Sequence, residues 1–109
     1  MKYCNSITSF SRFKTRVVNI GNVPVGGDNP IRVQSMTTEN TMDTIATVKE
    51  SIRIIEAGSE LVRITAPSKK DAENLQNIKD GLIKKGYHIP LIADIHFTPN
   101  AAEIAAQIV

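Results

Sequence analysis

Three apolar segments, beginning at Ile31, Leu61 and Leu91, recur about every thirty residues, the length of one strand plus one crossover helix. The first unit joins a strand pattern, Ile31–Met36, to a helical one, Asp43–Ala57, in which Ile45, Val48, Ile52 and Ile55 share a face and Gly58 stands ready to end the helix. The second runs from the strand Leu61–Thr65 through Pro67 and a Ser68-x-x-Asp71 capping pattern into a helix bearing Ala72, Leu75, Ile78 and Leu82, up to Gly86. The third has the strand Leu91–Ile95, then Thr98 as N-cap and Pro99 in the first turn of a helix whose apolar face is Ala101, Ile104, Ala105 and Ile108. Strands alternating with helices specify a parallel sheet, because parallel neighbours need a crossover and such crossovers are right-handed. The expected fold class is α/β: the first three strand-helix units of a partial TIM (β/α)8 barrel, since three strands cannot close and eight units need about 250 residues.

Ahead of the repeat, Arg16–Ile20, the Gly21-Asn22 dipeptide and Val23–Val25 read as a β-hairpin, placed to plug the bottom of a barrel. The following Gly26-Gly27-Asp28-Asn29-Pro30 reads as a turn rather than a phosphate loop, since no helix opens after it and the nucleotide fingerprint spacing is absent. In residues 1–14 the polar Asn5, Ser6, Thr8, Ser9 and Ser11 break any apolar period, so a flexible lead is expected there, with 15–109 as the N-terminal portion of a barrel domain. The last helix pattern reaches Val109 with no stop signal, which leads us to expect further units beyond it. Standing alone, such a sheet would carry an unpaired apolar edge and tend to self-associate.

Composition removes several classes of function. The net charge of +2 comes from 13 basic and 11 acidic residues without a run of either sign, which argues against nucleic acid as a partner. No apolar stretch approaches the ~20 residues of a membrane span and no secretory signal opens the chain, so a cytoplasmic location is expected. Cys4, the single cysteine, can form neither an internal disulfide nor, alone, a metal cluster, and reads as a reduced, idle thiol.

The chemistry is expected where the strands end. In Pro90–Phe97, PLIADIHF, a buried-strand pattern offers Asp94 and His96 two residues apart, on one face, with Leu91, Ala93 and Ile95 on the other. The second strand contains Arg63, and the first ends in Gln34-Ser35-Met36-Thr37. Ligands bind at the carboxyl ends of parallel strands, so these polar groups are candidates to meet one. Arg63 offers a planar fork of donors suited to phosphate or carboxylate; a structural ion pair with Asp94 on the next strand is an equal explanation. His96 fits a satisfied structural histidine as well as a ligand contact, and with one carboxylate it makes a thin metal site. Gln34 and Ser35 either orient ligand hydroxyls or bond backbone.

Several longer stretches carry a specific resemblance. Arg16-Val17, Gly21-Asn22-Val23-Pro24-Val25-Gly26-Gly27, Pro30-Ile31-Arg32-Val33-Gln34-Ser35-Met36-Thr37, Ala46-Thr47-Val48, Ala57-Gly58-Ser59-Glu60-Leu61-Val62-Arg63 and Pro90 to Phe97 fall in one order. Together they resemble the opening of the 4-hydroxy-3-methylbut-2-en-1-yl diphosphate synthase family, over residues 15–109. That resemblance implies an oxidoreductase of the non-mevalonate isoprenoid pathway. Its N-terminal TIM barrel binds 2-C-methyl-D-erythritol 2,4-cyclodiphosphate, and a separate domain holds a [4Fe–4S] cluster on three cysteines and a glutamate. Reduced ferredoxin or flavodoxin supplies two electrons, the ring opens, water leaves and an allylic diphosphate forms. By motif match, Arg63 would be a diphosphate ligand, Asp94 and His96 would lie beside the substrate, and Gln34 and Ser35 would line the floor. No cluster ligand falls in this sequence, so by itself it is expected to be inactive. The lead and the Lys84-Lys85-Gly86-Tyr87-His88 segment resemble the family's longer form, whose inserted middle domain would lie downstream. Two other readings are a pterin-binding synthase-like barrel and a non-catalytic, self-associating fragment.

Overall fold

Each strand-helix pattern forms the elements its periodicity specifies, and the reasons are local. In a computed structural model that describes residues 6–109, the order is β1 (Val18–Ile20), β2 (Val23–Val25), β3 (Gln34–Met36), α1 (Thr44–Glu56), β4 (Leu61–Thr65), α2 (Lys69–Lys84), β5 (Leu91–Asp94) and α3 (Pro99–Ala106). Cys4, read above as an idle thiol, lies outside the described residues. Asp43 caps α1 by accepting from the Ala46 N–H at 3.0 Å, and Ser68 caps α2, its Oγ accepting from the Asp71 N–H at 3.3 Å and donating to the Asp71 carboxylate. Both helices end in the same left-handed closure. Gly58 (φ +104°) donates to Ile55 O while Ser59 donates to Ile54 O; Gly86 (φ +85°) donates to Ile83 O while Tyr87 donates to Leu82 O.

The sheet is parallel in the order β3-β4-β5, with Met36 opposite Arg63, Val62 opposite Leu91 and Thr65 opposite Asp94. Space order follows chain order, so each crossover returns to the adjacent strand with the same hand, and the helices collect on one side. Val62 and Ile64, fully buried, point into that side, where they meet Val48 of α1, Ala72, Leu75, Ile78 and Leu82 of α2, and Ala101 and Ala105 of α3. Burial of each large aliphatic side chain there contributes about 1.5–3 kcal/mol. The opposite face of the sheet carries Arg63, Thr65, Ile92 and Asp94, with no helix over it among the described residues. β3 and β5 are edge strands.

The antiparallel hairpin β1–β2 turns at Gly21, whose φ of +56° precedes a negative one at Asn22, the sign pattern of a type II′ turn. It sits at the end where the strands begin: a Cβ on Gly21 would come within 3.0 Å of Pro90 Cγ. Arg32 ties it there, donating from Nε to Pro24 O (2.9 Å) and from Nη1 to Glu60 Oε1 (3.0 Å).

Three sequence expectations need correction, and a fourth is met in part. The first strand is shorter than Ile31–Met36, because Val33 is held from the side by Glu60, whose Oε2 accepts the Val33 N–H at 2.8 Å and whose own N–H donates to Val33 O at 2.8 Å. This bonding also holds the Glu60 carboxyl below its ordinary value, the Val33 N–H contributing most. The third strand ends at Asp94 rather than Ile95. Ile45 is 83% exposed; α1 instead turns Thr47, Val48, Glu50 and Ser51 inward, and the hydroxyls are satisfied by Asn40 O (Thr47, 3.0 Å) and Thr47 O (Ser51, 2.7 Å). Thr98 takes the expected N-cap position of α3 but makes no side-chain capping bond; its hydroxyl is shared between Pro67 O and His96 O, each at 3.2 Å.

The segment between β3 and α1 is clamped from three sides. The Thr37 N–H donates to Arg63 O (3.0 Å) and the Thr41 hydroxyl to Thr65 O (2.5 Å), both on β4. Asn74 of α2 donates to Thr41 O at 2.7 Å. Glu50 of α1 accepts from the N–H groups of Thr38 and Glu39 and from the Thr38 hydroxyl, at 2.8–2.9 Å. Burial pushes the Glu50 carboxyl up, but these bonds, with Arg53 nearby, outweigh it and bring it below the usual value.

Replacing Glu50 with Ala leaves those donors without their acceptor and should cost about 1–3 kcal/mol of stability, measured by urea unfolding. Because the folded carboxyl titrates below the unfolded one, its contribution is complete above roughly pH 4.3 and is lost as pH falls through the folded value. Glu50→Gln should therefore flatten the acid limb of the stability curve, and an unchanged limb would contradict the role given to Glu50.

Candidate functional site

At the carboxyl end of the sheet, one carboxylate joins two strands. Arg63 and Asp94 stand on the bare face, and the register that pairs Thr65 with Asp94 brings Arg63 Nη2 to 3.1 Å from Asp94 Oδ2. His96, two residues past Asp94, sends its Nε2 to 3.2 Å from Oδ1 of the same group. The Asp94 side chain is 16% exposed, against 42% for Arg63 and 49% for His96, so the acid is the inner member of the cluster and the two bases face outward. The hydrogen bond from Arg63 holds the Asp94 carboxyl below the usual carboxylate value; the His96 bond adds to this and partial desolvation opposes it.

The ion pair with Asp94 that offered an equal explanation for Arg63 is thus formed, and the His96 imidazole is satisfied by the same acid. Neither contact uses up the arginine. Its Nε is buried and has no hydrogen-bond partner, the one side-chain nitrogen or oxygen so placed among the described residues. A guanidinium carries five N–H donors in a fixed fork, and a buried donor left unpaired costs about 1–3 kcal/mol. The side chain as a whole is 42% exposed, so the accessible part of the fork, rather than Nε, is what an oxyanion could meet.

The two polar residues of β3 do not act together. Gln34 aligns with Leu61 and lies on the Arg63 face, while Ser35 aligns with Val62 and lies on the helix side; both are exposed. Successive strand residues point opposite ways, so the expected pair of floor residues cannot both meet one ligand. Ser35 instead anchors the strand, its N–H donating to Ser59 Oγ at 3.1 Å. Two residues missed earlier share the Arg63 face, Met36 beside Arg63 and Thr65 beside Asp94. Applying the period of two outward from Arg63 and Asp94 would have found both.

Among the described residues no three His, Cys, Asp or Glu side chains converge to hold a metal ion. The whole sequence has a single cysteine, whereas iron–sulfur clusters are held chiefly by several cysteine thiolates. The residues here do not fit such a cluster. No helix among those described is long and apolar enough to cross a membrane.

The chain resembles known proteins along nearly its whole length. Residues 15–109 match the GcpE TIM-barrel domain. The chain is 54% identical over 101 residues to 4-hydroxy-3-methylbut-2-en-1-yl diphosphate synthase (flavodoxin) of Protochlamydia amoebophila, covering 93% of this chain and 15% of that protein. It is 52% identical over 106 residues to the chloroplastic, ferredoxin-named synthase of Oryza sativa subsp. japonica, covering 97% of this chain and 14% of the relative. With the Akkermansia muciniphila synthase the identity is 53% over 105 residues, 96% of this chain and 18% of the other. The chain therefore spans less than a fifth of the length of these relatives.

If Arg63 holds Asp94 ionised, Arg63→Ala should raise the pH at which the Asp94 carboxyl titrates, followed through its carboxyl carbon by NMR. A titration curve that stays in place would rule out the ion pair.

Proposed function

We propose that this chain, which belongs to the GcpE TIM-barrel domain family, supplies the first three strand-helix units of a barrel that binds 2-C-methyl-D-erythritol 2,4-cyclodiphosphate, in an enzyme that converts it reductively to 4-hydroxy-3-methylbut-2-enyl diphosphate. The observation that carries this reading is the Arg63 guanidinium, held by Asp94 yet 42% exposed, at the carboxyl ends of parallel strands. The winding supports it. Strands adjacent in space and in sequence, with helices on one side only, continue naturally into a closed barrel, whereas a doubly wound sheet reverses strand order and is covered on both faces.

In this reading the bare face becomes the barrel interior and the Arg63 end becomes its mouth. Arg63 takes diphosphate oxygens with the exposed part of its fork, a planar match that lysine cannot reproduce. Asp94 keeps the guanidinium aimed and holds His96 beside it, and Gln34 lies lower on the same face. Ser35 fastens β3 from behind and does not meet substrate. The loop after β3, clamped by Glu50 and Asn74, forms a fixed part of the rim. Fixed donors of this kind do positional and electrostatic work on an anion. The reducing electrons would come through a [4Fe–4S] cluster held outside these residues, from flavodoxin or ferredoxin, the carriers that appear in the relatives' names.

A second reading is favoured by the open edge of β5. Beside it Ile20, Leu91, Ala93, Ile95, Ala105 and Val109 line an apolar groove of about 530 Å³ that another copy could cover. Sedimentation at several concentrations separates the two: a monomer at all concentrations removes self-association and leaves the anion site untouched.

In the full-length protein, Arg63→Ala should weaken cyclodiphosphate binding by roughly 1.5–3 kcal/mol, the size of a charge-assisted contact, measured by isothermal titration calorimetry. Arg63→Lys should restore only part of it. Unchanged affinity in both variants rejects the assignment.

A further inference from the structure

Phe97 is the one non-glycine residue with positive φ among those described, at +55°, and its side chain is fully exposed. A bulky residue in the left-handed region is strained, and strain of this kind persists where the surroundings enforce it. Here they do. On one side the Asp94 carbonyl accepts the Ala66 N–H at 2.8 Å; on the other Thr98 is tied to Pro67 O and His96 O before Pro99 opens α3. Glycine would take the same backbone without strain. Among the described residues nothing packs on the Phe97 ring, so the reason for a phenylalanine here lies in something the ring meets beyond them.

Its location says what that is. The Phe97 ring centroid lies 6.4 Å from that of His96, tilted by 48°, and His96 bonds Asp94, which bonds Arg63. A continuous path thus runs from a charged fork to an apolar plane at one rim. Resting on the anion-site reading above, we propose that Phe97 is a specificity-determining residue whose ring supports the carbon skeleton of an organic diphosphate while Arg63 takes the charged oxygens. An aromatic edge carries partial positive charge, so the ring tolerates the neighbouring anion while offering apolar surface to the carbon atoms. A ligand with both parts is held at two points; a bare inorganic anion uses only one.

The test compares two probes, the cyclodiphosphate and inorganic pyrophosphate, in calorimetric titrations of the full-length protein. Phe97→Gly should lower cyclodiphosphate affinity about tenfold, leave pyrophosphate affinity unchanged and not lower the melting temperature. Phe97→Leu should recover most of the affinity. Unchanged cyclodiphosphate affinity in Phe97→Gly, with Arg63→Ala still weakening it, overturns the role of Phe97 alone. An equal loss for both probes also overturns it, since the ring would then only be holding the loop. If Arg63→Ala has no effect on either probe, the anion site itself fails, and this proposal with it.

Discussion

Burying one face of β4 sets the terms for the rest of the molecule. Val62 and Ile64 can leave water only if something apolar covers them, and α1, α2 and α3 all do so from the same side. Strand geometry then forces the alternate residues, Arg63 and Thr65, onto the other side. A guanidinium there is not a packing error, because its side chain keeps 42% of its surface exposed. The charge that would be costly in a two-sided core stands where it can find a partner and a ligand.

The partner it finds is limited by arithmetic. Asp94 has two oxygens, and the structure divides them between Arg63 and His96. One carboxylate cannot saturate a five-donor fork, so the same contact that fixes Arg63 leaves it with capacity to spare. Fixed and unsaturated together are what an anion site requires. The neighbouring loop shows the opposite arrangement. Glu50 there meets its donors within its own chain, and the result is a rigid rim with no spare capacity.

The repeat, the hairpin, both left-handed helix closures and the cap of α2 were legible in sequence, because each depends on residues within a few positions of one another. Arg63, Asp94 and His96 were legible as polar interruptions of apolar strands, and their convergence followed once the strands were taken as parallel neighbours. Ile45 was misread for a physical reason: its spacing fits an apolar face, but Thr47 and Ser51, whose hydroxyls bond backbone carbonyls, fill the buried face instead. Thr98 was read correctly as the N-cap position of α3, but a hydroxyl there can serve the helix or a nearby carbonyl, and Pro67, far along the chain, supplied one. Ser35 was misplaced by ignoring the period of two that had been applied to Asp94 and His96.

The sequence by itself determined which segments are strands and helices, that the strands run parallel, and which family they belong to, since local periodicity, capping chemistry and motif order are written in neighbouring residues. Only the tertiary structure decided that one carboxylate serves two bases, that an arginine nitrogen remains buried and unpaired, and that Phe97 is held in a left-handed conformation with its ring in solvent. Those outcomes depend on register and on the distance between atoms far apart in the chain, and neither is set until the strands have paired.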